Sequence, residues 1–455
     1  MFASIDPTTE EPFHRVELDA PEAVERKLEA GFEAWWRWRR CSFAERSGPV
    51  RALAASLRED RERLARLMVR EMGKPLVEAR GEVDKTAWCY DHYAEHAESY
   101  LAPIELGSDA SRSYVQHLPQ GPALGILPWN DPLWLSARVA APALMAGNAV
   151  FLKHDPHVPA CAEALAEHAR QALPEGLQQF LFVEDETASE VVRDERVRSL
   201  SFTGSTEGGR AVASVAGSVS KPSVLELGGS DPAIVLADAD LEAAAETLKS
   251  SRMINAGQSC IAAKRILVER SVYDAFLEEL TARIERLRTG DPGEEETEIG
   301  PLARRELRDA LADQVARSRD AGARCLVGGT APERRGWFYL PTLLADVPRD
   351  SAAFREETFG PVAAVTPVED AEDALRLAND SPFGLAAGIW TERARGESLA
   401  AELETGQVSI NGIVKTDPRL PSGGTKASGH GRELGPQGIL EFVNAQQVWV
   451  GPARQ

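Results

Sequence analysis

Ser199-Leu200-Ser201-Phe202-Thr203-Gly204-Ser205-Thr206-Glu207-Gly208-Gly209 reads as a short apolar strand, a Gly-Ser turn and the start of a helix. A helix start presents unpaired N–H groups and partial positive charge, which suits a pyrophosphate. The Gly-x-x-x-Gly spacing departs from the usual dinucleotide fingerprint, so the flanking texture has to decide the fold. On either side, apolar runs alternate with helical stretches: Ala123 to Leu127, Ala149 to Lys153, Gln179 to Val183 and Val224 to Leu227. Strands alternating with helices predict a doubly wound, parallel α/β sheet. Ligands bind such sheets beyond the carboxyl ends of the strands, where Pro128-Trp129-Asn130, Lys153, Gly204-Ser205 and Glu226 all fall.

A second alternating region runs through Ala233 to Leu236, Arg265 to Val268, Val362 to Pro367 and Gln407 to Asn411, and predicts a second α/β domain. Val443 to Val450 and Ser113 to Leu118 alternate as isolated strands. From Pro21 to about Ala102 the pattern is helical and carries no obvious chemistry, and Trp35-Trp36-Arg37-Trp38 reads as core packing.

The 455 residues carry a formal charge of −20, which argues against a nucleic-acid partner, because phosphate binding needs clustered Lys and Arg. No apolar run reaches the roughly 18–20 residues of a membrane span, and the first residues lack the pattern of a secretory signal. A cytoplasmic location without membrane contact is expected. The five cysteines are scattered without C-x-x-C spacing, so neither a disulfide framework nor a metal site is indicated.

Glu226-Leu227-Gly228-Gly229 and Asn255-Ala256-Gly257-Gln258-Ser259-Cys260 place a carboxylate and a thiol beside glycines that permit close approach. A thiol that attacks a carbonyl carbon leaves a thioester, whose hydrolysis needs a general base. Burial opposes the thiolate, while nearby positive charge favours it. These two segments resemble the signatures of the aldehyde dehydrogenase superfamily, and further motifs follow in the same order from about Phe43 to Val450.

The resemblance implies a Rossmann-type cofactor domain over 1–102 and 120–227, a catalytic domain over 228–420 and oligomerisation segments over 103–119 and 440–455. It implies a homo-oligomer, dimer or tetramer. By motif, Cys260 is the nucleophile, Glu226 the base that activates water and Asn130 the oxyanion donor. Trp129, Lys153, Gly204, Ser205, Leu227, Glu357 and Phe359 fall at cofactor-binding positions, the last two within Glu356-Glu357-Thr358-Phe359-Gly360-Pro361. Pro156 stands where many NAD-preferring relatives carry Glu, which leaves the site open to NAD or NADP. Gly423 to Glu433 resembles the late loop leading to the oligomerisation strand and adds little chemistry by this reading.

Lys153-His154-Asp155-Pro156 and Cys260-Ile261-Ala262-Ala263-Lys264-Arg265 resemble a bacterial succinate-semialdehyde dehydrogenase subgroup. An anionic substrate tail calls for a fixed cation, and Arg138 occupies the position of one family Arg. The position of a second, six residues before Cys260, is Ile254, with Arg252 nearby. Another aliphatic or aromatic aldehyde is the same-fold alternative; a thiol esterase or a non-catalytic protein is the alternative of a different class.

Overall fold

In the computed structural model, which describes residues 1–451, the first alternating region forms one sheet. Its strands lie in the order Gln178–Phe180, Val150–His154, Ala123–Leu127, Ser199–Thr203, Ser223–Glu226 and Gly429–His430. All are parallel except the last, which pairs antiparallel with Ser223–Glu226. The three central strands are buried at every residue, which is why they read as continuous apolar runs. The chain winds one way from Ala123–Leu127 to Gln178–Phe180 and then resumes on the other side at Ser199–Thr203. The crevice of such a sheet opens at that reversal, beyond Leu127 and Thr203.

Helices Pro21–Trp38, Phe43–Glu59, Arg61–Met72, Leu76–Tyr100, Pro132–Met145 and Pro159–Ala172 pack around this sheet. A capping box between Ser42 and Glu45 starts the second of them, and Gly73 in the left-handed conformation ends the third. Trp35 and Trp38 are core residues as expected, whereas Trp36 is exposed and stacks near Arg39. The hairpin Phe2–Asp6 with Glu11–Val16 was not legible in the alternation pattern; it is held to the helices through Ser4 and buried Glu71.

Five residues after Glu226 ends its strand of the first sheet, Asp231 begins a strand of the second. The second sheet runs Arg324–Val327, Thr342–Ala345, Val362–Val368, Ala263–Glu269, Asp231–Val235, Ala386–Trp390 and Gln407–Ile410, parallel apart from the first strand, over its own core. Val443–Val450 and Arg112–Pro119 pair antiparallel along their whole length, with Ile104–Glu105 beyond. Residues 452–455, the end of the expected 440–455 segment, lie outside the described residues. No described helix is long and apolar enough to cross a membrane.

Candidate active site

A cavity of about 530 Å³ lies where the two sheets meet, and Asn130, Glu226, Cys260, Glu357 and Phe359 all line it. The Cys260 loop follows helix Leu241–Met253, whose start Asp240 caps by accepting from the Ala243 N–H. The backbone then passes through Asn255, Ala256 and Gly257 with φ of 53°, 52° and 76°. Two non-glycine residues in the left-handed region cost on the order of 1–3 kcal/mol each and persist only when their surroundings hold them.

Arg252 does much of that holding. Fully buried, it donates to the carbonyls of Val362 (2.6 Å), Thr358 (2.8 Å), Gly257 (3.2 Å) and Gly360. It thereby ties the Cys260 loop to the Glu356–Pro361 loop with four of its five N–H groups and lies outside the cavity lining, where Ile254 takes the place. Asn255 donates its side-chain amide to the Asn130 carbonyl (2.9 Å) and its backbone N–H to Glu78 (2.6 Å). Gln258 accepts from the Ala303 N–H at 2.9 Å. A Cβ on Gly257 would come within 2.2 Å of the Gly360 oxygen. The residues of Asn-x-Gly-Gln-x-Cys are thus a bracing set for the loop that presents the thiol.

Cys260 is partly buried, and burial pushes its thiol up to about 12, against the pull of Lys264 and Arg138. That direction favours the thiol over the thiolate. Burial likewise raises Glu226 to about 7, with Glu433 adding repulsion and Arg138 opposing both. One Glu226 oxygen accepts from Arg138 Nη2 at 2.9 Å; the other, Oε1, is buried without a hydrogen-bond partner. The Asn130 amide faces the Gln258 carbonyl at 3.2 Å and Asp131 at 3.3 Å, both long contacts.

Arg138 lines the same cavity, and its partners bear on its expected role as a substrate clamp. Its helix, Pro132–Met145, starts where buried Glu82 accepts the N–H groups of Leu133 and Trp134 (2.9 and 3.1 Å). Its guanidinium lies between two acids, Glu226 at 2.9 Å and Glu433 at 2.5 Å, the latter an ion pair outside hydrogen-bonding angles. The expected substrate clamp is therefore already matched in charge, and what it holds is Glu226. Glu433 in turn accepts from Ser201 Oγ at 2.8 Å. The Gly423–Glu433 stretch thus supplies chemistry that its sequence did not announce.

On another wall of the cavity, Ser205 caps helix Thr206–Ser218 by accepting from the Gly208 N–H at 3.1 Å, and Gly204 and Ser205 line the cavity at the helix start. Glu357 accepts from the Gly229 N–H at 3.1 Å and lies 3.5 Å from buried Lys264. A Cβ on Gly228 would meet Glu357 Oε2 at 2.3 Å, so the glycine pair of Glu226–Gly229 admits that carboxylate. Leu227 lines the same cavity, and Trp129 and Phe359 meet edge to face at 5.6 Å. Lys153 lies apart from the cavity lining, at the end of its strand, and donates to exposed Asp185 at 2.6 Å.

The helix Leu76–Tyr100 also departs from the sequence reading. It sends Glu78, Glu82 and Lys85 to the cavity, and burial raises Glu78 to about 7. Helical spacing of charged residues is ordinary on a solvated face, so only the packed fold distinguishes these three.

The fold, the paired thiol and carboxylate, and the helix start beside them define a class: the chain belongs to the aldehyde dehydrogenase family, whose model matches residues 1–448. It is 45% identical over 450 residues to a probable succinate-semialdehyde dehydrogenase (NADP(+)) of Synechocystis sp., covering 98% of this chain and 99% of that one. A succinate semialdehyde dehydrogenase (NAD(P)+) of Escherichia coli is 42% identical, with 98% and 97% covered. Among solved structures, succinic semialdehyde dehydrogenase from Streptococcus pyogenes in complex with NADP+ superposes with a TM-score of 0.97 at 35% identity, over 99% of this chain and 100% of that one.

Proposed function

We propose that this protein oxidises succinate semialdehyde to succinate with NADP or NAD. The observation that carries this reading is the meeting of Cys260, Glu226, Asn130 and Glu357 in one cavity between the two sheets. Cys260 Sγ attacks the aldehyde carbon. Its proton passes to solvent as the C–S bond forms, which leaves Glu226, with its unpartnered oxygen Oε1, as a free carboxylate for the later step. Asn130 turns its amide from its long contacts to the developing oxyanion, which one such donor stabilises by about 3–4 kcal/mol. The dinucleotide, when bound, supplies the hydride acceptor. After hydride loss, Glu226 takes a proton from water, which attacks the thioester and releases the carboxylic acid and the Cys260 thiol.

The residues suit that cofactor. The start of the 13-residue helix Thr206–Ser218 offers N–H groups to a pyrophosphate, and Glu357 is available for the nicotinamide ribose. Lys153 reaches the adenosine end, where Pro156 supplies no carboxylate to repel a 2′-phosphate. The relatives named for NADP favour its use here alongside NAD. The exposed edge strand Val443–Val450 supports assembly as a dimer or tetramer, in the cytoplasm.

The test is a panel of aldehydes with each dinucleotide, read at the reduced-nicotinamide absorbance. Succinate semialdehyde is expected to give the highest kcat/KM. No signal with any aldehyde, or ester turnover without nicotinamide as the only activity, would sink the reading.

A further inference from the structure

With Arg138 matched by Glu226 and Glu433, the cavity needs another cation to hold an anionic substrate tail. Lys74 is matched by Glu82 and by Asp131 at 2.6 Å. Arg304 lies 5.4 Å from the centroid of the Trp129 ring, beside Phe359 and so on the cofactor side. Lys415 is exposed at the mouth. Lys85 differs from all of these. It is half-buried on the cavity wall, donates to Thr416 Oγ1 at 2.7 Å, sits 4.2 Å from the centroid of the Trp134 ring and forms no ion pair among the described residues.

We propose that Lys85, with the Thr416 hydroxyl beside it, is the residue that recognises the substrate carboxylate while Cys260 takes the aldehyde end. This rests on the succinate-semialdehyde reading above. An ammonium has three donors, and Thr416 accepts only one, so two remain for a carboxylate. Because Thr416 accepts from Lys85, its own hydroxyl hydrogen is free to donate to the same carboxylate. The Trp134 face steadies the cation without neutralising it. Burial without a partner acid lowers Lys85 to about 8, despite Asp131 and Glu82, with Arg138 adding repulsion. A carboxylate arriving beside it relieves both penalties.

The experiment compares kcat/KM for succinate semialdehyde and for butyraldehyde, its neutral counterpart, in the native protein, Lys85→Met and Lys85→Arg. The native ratio is expected to favour succinate semialdehyde. In Lys85→Met the ratio falls by about 10- to 100-fold, the range of a charge-assisted hydrogen bond, through KM rather than kcat. Lys85→Arg restores most of it. Succinate added as a competitive inhibitor of butyraldehyde oxidation weakens about tenfold or more in Lys85→Met.

An unchanged ratio in Lys85→Met, or parallel losses on both aldehydes, overturns the assignment of Lys85 and leaves the substrate reading standing. A native protein without preference between the two aldehydes overturns both, and that result is visible before any variant is made.

Discussion

Arg138 stands between Glu226 and Glu433, and its charge opposes the rise that burial imposes on Glu226, the acid proposed to activate water. Only the carboxylate form of Glu226 takes up a proton, so with Glu226 raised to about 7 the kcat profile should climb as pH rises through neutrality. Glu226→Gln is expected to remove that limb and to stall after one hydride per site, which a rapid-mixing trace would display; steady turnover would refute the role. In Arg138→Met the cation that favours the carboxylate is gone. The limb should then move to higher pH, and urea unfolding should register a loss of about 3–5 kcal/mol from the broken buried pair. A limb that stays in place would separate Arg138 from the chemistry of Glu226.

At the scale of elements, the Cys260 loop and the Glu356–Pro361 loop form one braced unit because Arg252 bonds carbonyls of both. Gly257→Ala would push a methyl group to 2.2 Å from the Gly360 oxygen and place alanine at a positive φ. We expect a stability loss of about 2–3 kcal/mol in thermal unfolding, together with a marked drop in dehydrogenase activity. Near-native values of both would mean that the loop relaxes freely. The motif was legible in the sequence because its residues stand close together and resemble a known signature, although Asn255 and Gln258 bond to Asn130 and Ala303 elsewhere in the chain. Arg252 and Glu78 were not, because their duties run to carbonyls and N–H groups that only the folded chain brings near. The helix Leu76–Tyr100 hid Lys85 for the same reason: a lysine on an amphipathic helix looks like any solvated charge until Trp134 and Thr416 close around it.

For the whole molecule, the two parallel sheets were readable because strands buried on both faces must be apolar throughout, as Ala123–Leu127 and Asp231–Val235 are. The pairing of Arg138 with Glu226 and Glu433 was not legible, because those acids lie far along the chain and only the finished fold assembles the three. At the end of Val443–Val450, Trp449 and Val450 are exposed on opposite faces of the strand, and they carry a further prediction. Trp449→Glu with Val450→Glu should lower the assembled mass in sedimentation while the strand keeps its pairing with Arg112–Pro119; an unchanged mass would direct the search for the interface elsewhere. One more consequence follows from the arrangement of the sheets. Glu226 terminates one of them, and Cys260 precedes a strand of the other. A fragment left by proteolysis, or a chain with only one lobe folded, holds the thiol without its base or the base without its thiol. With the roles proposed for these two residues, such pieces cannot turn over, so chemical competence itself would report that both halves of the chain have been completed and joined.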